Sequence, residues 1–225
     1  MSSPVFDLDE TIRTRRSVRG FLVDKSVPKT ILEETLELAR WSPSNCNVQP
    51  WDVFIASGEV RDRLRAALVE AVVSGRTPDP STPIETFDGD HRRRQIACAV
   101  EMYGKMGIAR DDGAGRLRAH LRNFELFDAP HIAIVCMRKS FGIGVALDVG
   151  MWVQTFMLAL WARGIGSCAQ ASLRLYPSLI KEILGIGEDL EILCGISFGY
   201  EDPSVAANQT RQPREPISSN IHFLG

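Results

Sequence analysis

The stretch from Val145 to Ala162 is almost wholly apolar and is bracketed by glycines at 144 and 164. A run of that length is either a membrane span or a helix buried in a protein core. Asp148 and Gln154 lie inside it, and an ionisable group at bilayer depth is costly, so the sequence predicts a core helix over Ala146 to Arg163. Such a helix needs other elements packed on it, and the chain is patterned to supply them. Asp9 is placed to cap a short helix toward Arg15, and Pro28 suits the first turn of a second helix that ends near Trp41 with Ile31, Leu32, Leu36 and Ala39 inward. Trp51 to Ala56 reads as a strand, followed by a helix with Val60, Leu64, Leu68 and Val72 at a spacing of four. His131 to Met137 and Leu190 to Tyr200 read as strands, and Tyr176 to Leu184 as a helix.

Between these lies a less apolar region. Residues 75–89 carry Pro78, Pro80, Pro83 and Gly89 without an apolar period, which predicts an exposed loop. His91 to Phe127 is charged and helix-prone, broken at Asp111-Asp112-Gly113, which predicts two helices forming a flap. There is no internal repeat and no boundary, so the 225 residues are expected to form one domain, with about 75–122 as a helical flap and loop insertion. The tail beyond Asp202 is interrupted by Pro203, Pro213 and Pro216, yet ends in Ile221, Phe223 and Leu224, too apolar to stay in water.

Charge and cysteine usage narrow the function. Twenty-six basic residues stand against 28 acidic ones, and a net charge of -2 offers no field to gather nucleic acid or anionic lipid. Partners are therefore expected to be small molecules or another protein chain. Five cysteines without a C-x-x-C pair fit neither a disulfide framework nor a zinc site, which points to a reducing cytoplasm and no metal. Met1 to Glu10 is acidic and lacks an apolar h-region, so no export signal is expected.

Two short strings imitate catalytic motifs. Gly164-Ile-Gly166-Ser-Cys-Ala169, with Glu188 and Asp189 about twenty residues on, matches the dinucleotide fingerprint. That fingerprint requires a strand before the first glycine, whereas a long helix precedes this one; a glycine helix cap and a turn is the expected reading. Gly195-Ile-Ser197-Phe-Gly199, followed by Asp202 and His222, has the chain order of a serine hydrolase. No helix signal follows Ser197, so the hydrolase stands as the contrasting hypothesis, and Ser197 as an ordinary strand residue.

A third group is a constellation. Arg15-Arg16-Ser17-Val18-Arg19 packs three guanidiniums and a hydroxyl into five residues, an unfavourable density unless an anion is held there. Arg211 and Arg214 form a second basic pair among stiffening prolines. Between the two lies Ser42-Pro43-Ser44-Asn45-Cys46-Asn47-Val48-Gln49-Pro50-Trp51, whose amides can read the edge of a heteroaromatic ring or stabilise a loop.

Together these segments resemble the FMN-dependent nitroreductase family of NAD(P)H:acceptor oxidoreductases, over nearly the whole chain from Thr14 to Phe223. RRSVRGF from Arg15, WSPSNCNVQPW from Trp41, RNFELFDAPHIAIV from Arg122, GIGSCAQAS from Gly164 and RQPREPI from Arg211 follow the family's motifs in order. The resemblance implies an α+β sandwich, a mostly antiparallel sheet wrapped by helices, in a homodimer whose C-terminal arms are exchanged and whose FMN sites lie between chains. It implies that Arg15, Ser17, Arg211 and Arg214 hold the FMN phosphate with Arg16 beside them, and that Arg19 faces the pyrimidine end of the ring. There a cation would raise the two-electron potential. It further implies that Asn123, and Asn47 and Gln49 on the Pro43-Ser44-Asn45 turn, bond the ring's polar edge, and that the amides of Gln170 and Ala171 approach N5. Phe124, Phe127, Tyr103 and Arg110 are expected to line or cover the substrate pocket. Some relatives carry a lysine where this chain has Leu126, which leaves more of the charge compensation to Arg19. The implied reaction is ping-pong hydride transfer from NADH or NADPH through FMN to a nitroaromatic or quinone-like acceptor, with no catalytic side chain. Dehalogenating, flavin-fragmenting or dehydrogenating chemistry on the same scaffold, or flavin binding without catalysis, are the neighbouring readings.

Overall fold

The computed structural model describes residues 7–225. The expectation of no export signal rests largely on Met1 to Phe6, outside the described residues. Four strands, β1 (Asp52–Ser57), β2 (His131–Arg138), β3 (Gly166–Gln170) and β4 (Leu190–Gly199), form one antiparallel sheet in the order β1-β2-β4-β3. Among the described residues, seven helices surround it: α1 (Leu8–Thr14), α2 (Lys29–Ala39), α3 (Gly58–Val73), α4 (Gly89–Lys105), α5 (Gly113–Leu121), α6 (Ile143–Trp161) and α7 (Pro177–Leu184).

β2 organises the two layers, because strand side chains alternate between faces. Ile132, Ile134 and Cys136 pack with Leu64 and Leu68 of α3 and Leu179 and Ile180 of α7. Ala133, Val135 and Met137 pack on the opposite face with Ala39 of α2 and Trp152, Phe156 and Leu160 of α6. With both faces covered, the strand has to be largely apolar, and IAIVCM is apolar throughout. Each large aliphatic side chain so buried contributes about 1.5–3 kcal/mol. Its one polar member, His131, is buried and bonded on both ring nitrogens, accepting from the Val27 amide at 2.9 Å and meeting Ser57 Oγ at 2.5 Å.

α6 lies on the sheet as a core helix. Among the described residues it alone is long and apolar enough to cross a membrane, and its Trp152, Phe156 and Leu160 are spent on the second layer instead. Asp148 is buried within it and accepts the Asn45 amide at 3.0 Å, tying the 42–51 loop to the helix. The opposite face of α6 has no cover in one chain: Ile143 is 93% and Leu147 68% exposed.

Two local readings are corrected. The N-cap of α1 is Asp7, which accepts the Glu10 amide at 3.1 Å, while Asp9 sits in the first turn and pairs with Arg13. Gly164 does cap α6, with φ +73 and the Gly164 and Ile165 amides bonded to Trp161 and Leu160. Beyond the cap, however, the chain enters strand β3 and not a turn. Gly-Ser-Cys-Ala-Gln has little strand propensity of its own and is held by pairing with β4 on one side and with Ser17 on the other. Because Gly164 ends a helix with no strand before it, and Gly166 begins a strand where a helix should open, the dinucleotide fingerprint is excluded.

Candidate functional site

The segment Arg15 to Phe21 runs along β3, and its path depends on two glycines. A Cβ on Gly166 would stand 2.7 Å from Val18 Cγ2, and one on Gly20 would stand 2.5 Å from Val205 Cγ2. Small residues thus let the N-terminal segment lie between β3 and the 205–207 turn, where the Val18 amide bonds the Ser167 carbonyl at 3.0 Å. Asn208 then joins the two ends of the chain. Its Oδ1 accepts the Arg19 amide at 2.6 Å, and its Nδ2 donates to the Gly20 and Asp202 carbonyls, both at 2.9 Å. Nothing local marked this residue in the sequence, since the N-terminal backbone it holds is 188 and 189 positions away.

The result is a basin of about 550 Å³ lined by Arg15, Ser17, Arg19, Thr210, Arg211 and Arg214, with no carboxylate in its wall. Burial, and then the like charge of Arg214, push the Arg15 guanidinium below its ordinary value. Arg211 and Arg214 are held by backbone carbonyls, Arg211 by those of Asn208 and Thr210 and Arg214 by those of Gln212 and Pro213. Thr210 Oγ1 is buried without a partner. Guanidiniums gathered without a counter-ion, beside an unpaired hydroxyl, suit a phosphate-like anion. The tail that brings them there is strapped to α4: Glu101 accepts the Arg211 amide at 2.7 Å and the Gln212 side-chain amide, and Glu215 pairs with Arg93 at 3.2 Å. Arg16 also borders the basin, but its guanidinium is engaged by Glu201 and lies over Trp161.

A second cavity, of about 430 Å³, adjoins the basin and shares Arg19 and Cys98 with it. Asn123, Arg122, Phe127, Met102 and the 205–207 turn line it. Phe127 in its wall is the middle of three consecutive left-handed residues, Leu126, Phe127 and Asp128, at φ +55, +54 and +64. For non-glycine residues such backbone is strained and persists only when its surroundings hold it. Arg122 does so, donating to Glu125 and Asp128 at 2.6 Å each, while the Phe127 carbonyl accepts the Phe21 amide at 3.2 Å. Burial lowers the Arg122 pKa most, yet the bonds to Asp128 and Glu125 outweigh it and the guanidinium is held more firmly protonated than usual.

The remaining expected residues divide. Asn123 lines the cavity with its amide donating to the His120 carbonyl at 3.0 Å. The Gln170 side chain is turned inward, donating to the Asn123 carbonyl at 2.7 Å and accepting from Ser197 at 2.5 Å, which leaves its backbone and that of Ala171 at the end of β3. Phe124 is corrected from pocket wall to core: fully buried, it packs edge-on against Tyr176. Leu126 likewise points into the first core layer. Tyr103 and Arg110 line a different cavity, between α4 and α5. Pro43, Ser44, Asn45, Asn47 and Gln49 border neither the basin nor the cavity of Asn123. Their loop is exposed and shaped by Ser44 Oγ accepting the Gln49 amide at 3.0 Å, with left-handed backbone at Cys46, Asn47 and Gln49. The hydrolase reading fails on geometry, because Ser197 is fully buried in β4 and bonded to an amide, while His222 is exposed in the tail.

Known proteins bear on this arrangement. The sequence model described as Nitroreductase family matches residues 12–200. Nitroreductase NfnB of Mycolicibacterium smegmatis is 37% identical over 227 residues, covering 99% of this chain and 96% of that protein. A 4-nitrobenzoate reductase of Pseudomonas putida is 34% identical, over 97% of this chain and 96% of that one. The crystal structure of the FMN-dependent NfnB from Mycobacterium smegmatis in complex with NADPH superposes with a TM-score of 0.91 at 36% identity, covering 96% of this chain and 97% of that one. The FMN- and NADPH-dependent NfnB of Sphigopyxis sp. strain HMH gives 0.94 at 30% identity, over 97% and 99%.

Proposed function

Because this chain belongs to the nitroreductase family, we propose that it is an FMN-dependent oxidoreductase that passes hydride from NADH or NADPH to a small electron-poor acceptor, a nitroaromatic or quinone-like compound. The observation that carries this reading is the basin where guanidiniums from both ends of the sequence meet without a carboxylate. Arg15, Ser17, Arg211 and Arg214 are placed to hold the phosphate of FMN, with the Thr210 hydroxyl available as a further donor. Each charge-assisted contact of this kind contributes about 1.5–3 kcal/mol. Arg19 borders both the basin and the adjoining cavity and is fixed through its backbone by Asn208, which suits it to set positive charge beside the ring. FMN, when bound, supplies reversible two-electron chemistry, so the protein's part is position and field. Asn123 lines the cavity with the Gln170 side chain bonded to its carbonyl, and Phe127 and Met102 give the cavity an apolar wall for an aromatic acceptor.

The working unit is a homodimer. The 43–49 loop, which the family resemblance places at the ring, is exposed and remote from the basin of its own chain, which fits its delivery to a partner's site. Ile143, Leu147 and Trp41 (75% exposed) present apolar surface near it, and the tail ends in exposed Ile221, Phe223 and Leu224, the material of an exchanged arm. Five free thiols suit a reducing cytoplasm.

Absorbance of the purified protein across the flavin bands, before and after anaerobic NADH or NADPH, tests the reading directly. Yellow protein that bleaches is expected; colourless protein that takes up no FMN would overturn it, and yellow protein that never bleaches would make it a carrier. Arg211→Ala is expected to lose FMN on dialysis while leaving the spectrum of the retained flavin unaltered.

A further inference from the structure

Among the described residues, arginines without a carboxylate partner gather in two places. Arg15, Arg19, Arg211 and Arg214 gather at the basin. Arg92, Arg110 and Arg116 gather at a cavity of about 730 Å³ between α4 and α5. Their neighbours on the same segments are neutralised: Arg93 by Asp90 and Glu215, Arg94 by Glu215, Arg118 by Asp112, and Arg122 by Glu125 and Asp128. Arg92 instead donates to the Gln95 side chain and Arg116 to the Arg110 carbonyl, so all three charges stand uncompensated.

The wall between them is apolar, made by Ile96, Val100, Ile108 and the ring of Tyr103. This groove meets the Asn123 cavity at Gln95 and Ala99, and that cavity meets the basin at Arg19 and Cys98. The basin, the cavity at the proposed ring position and the α4–α5 groove are therefore neighbours in series. From Arg92 to Gly104 the groove follows α4 for about 18 Å at ~1.5 Å per residue. A single-ring acceptor is too short to engage cations at both ends of it; the adenosine half of a dinucleotide is not.

We propose that this groove holds the adenosine phosphate half of NADPH, with Arg110 and Arg116 reading the 2′-phosphate and Arg92 serving the diphosphate, so that the enzyme selects NADPH over NADH. The assignment rests on the oxidoreductase reading of the flavin site. A phosphomonoester is close to a dianion near neutral pH, and two guanidiniums with no carboxylate to give up can receive it without breaking an internal ion pair. Tyr103 offers a flat apolar face to the base.

Calorimetric titration of the holoenzyme with adenosine 2′,5′-bisphosphate and with adenosine 5′-monophosphate isolates the groove from the chemistry. The bisphosphate is expected to bind at least tenfold more tightly. Arg110→Ala and Arg116→Ala should each remove about tenfold of that preference, leaving monophosphate binding and FMN content unchanged. Arg110→Ala retains the carbonyl that Arg116 uses, so it preserves the local fold. Equal binding of the two probes by the wild type, or a preference untouched in both variants, overturns the proposal. So does an outcome in which the variants weaken 4-nitrobenzoate alone, which would give the groove to a carboxylated acceptor. If the wild-type protein holds no FMN, it is the oxidoreductase reading that fails, and the two adenosine probes still report on the groove.

Discussion

At the scale of single residues, the site depends on side chains that touch no ligand. Asn208 uses three hydrogen bonds to hold the Arg19 and Gly20 backbone against the 202–208 turn, and all three lie in buried or half-buried surroundings. Asn208→Ala leaves the Arg19 amide unsatisfied and takes one of two donors from each of the Gly20 and Asp202 carbonyls, a loss of about 1–3 kcal/mol that urea unfolding would register. Because Arg19 is displaced with its backbone, the same variant is expected to retain less FMN after gel filtration. His131 makes stability depend on pH. The Val27 amide donates to Nε2, so the ring proton sits on Nδ1 toward Ser57, and burial, then the charge of Arg61, hold its pKa below the ordinary value of about 6.5. The unfolded chain then binds the extra proton first, so this contribution is intact above about pH 6.5 and declines as the pH falls from there toward the folded-state pKa. Denaturant midpoints between pH 7.5 and 5 should fall for the wild type and fall less for His131→Gln. At this scale the sequence displayed arginines by number but not by state. It could not separate Arg15, left without a counter-ion, from Arg16, taken by Glu201, because the acid that decides lies far along the chain.

At the scale of elements, the strong periodic segments were legible and the weak one was not. β2 and α6 are apolar over most of their length, and Asp148 and Gln154 in α6 favour a protein core over a bilayer. β3 is Gly-Ser-Cys-Ala-Gln, a strand only because β4 and Ser17 supply its partners. Its glycine is set by the chain that crosses it. Gly166→Ala would put a methyl 2.7 Å from Val18 Cγ2, and the overpacking should cost about 1–3 kcal/mol, visible as a lower melting temperature with looser binding at the basin. The break between α4 and α5 follows from a signal legible in the chain itself, since Asp112 caps α5 by accepting the Gly115 amide at 2.7 Å, whereas the end of α5 at Leu121 falls short of the expected Phe127. The placement of Phe124 was not legible. It follows Asn123 directly, yet the helix end and the left-handed turn after it send Asn123 to the cavity and Phe124 to the core.

At the scale of the whole molecule, one chain leaves an apolar face on α6 and an apolar tail exposed to water. Sedimentation should give twice the 25.0 kDa chain mass, and Leu147→Lys, which puts charge into that face, should shift the population to monomer and lower FMN occupancy with it. A monomeric variant that keeps its full FMN complement would remove the partner's loop from the proposed site. The local code determined which segments bury themselves and that positive charge is concentrated near both ends of the chain. Those properties belong to neighbours in sequence, where periodicity, capping and composition act. Only the tertiary structure decided which guanidiniums share a basin, which are neutralised, and that Arg92, Arg110 and Arg116 border one groove. Those outcomes are set by contacts between residues as much as 189 positions apart, and a hydrogen bond or ion pair leaves no trace in the local pattern of either partner.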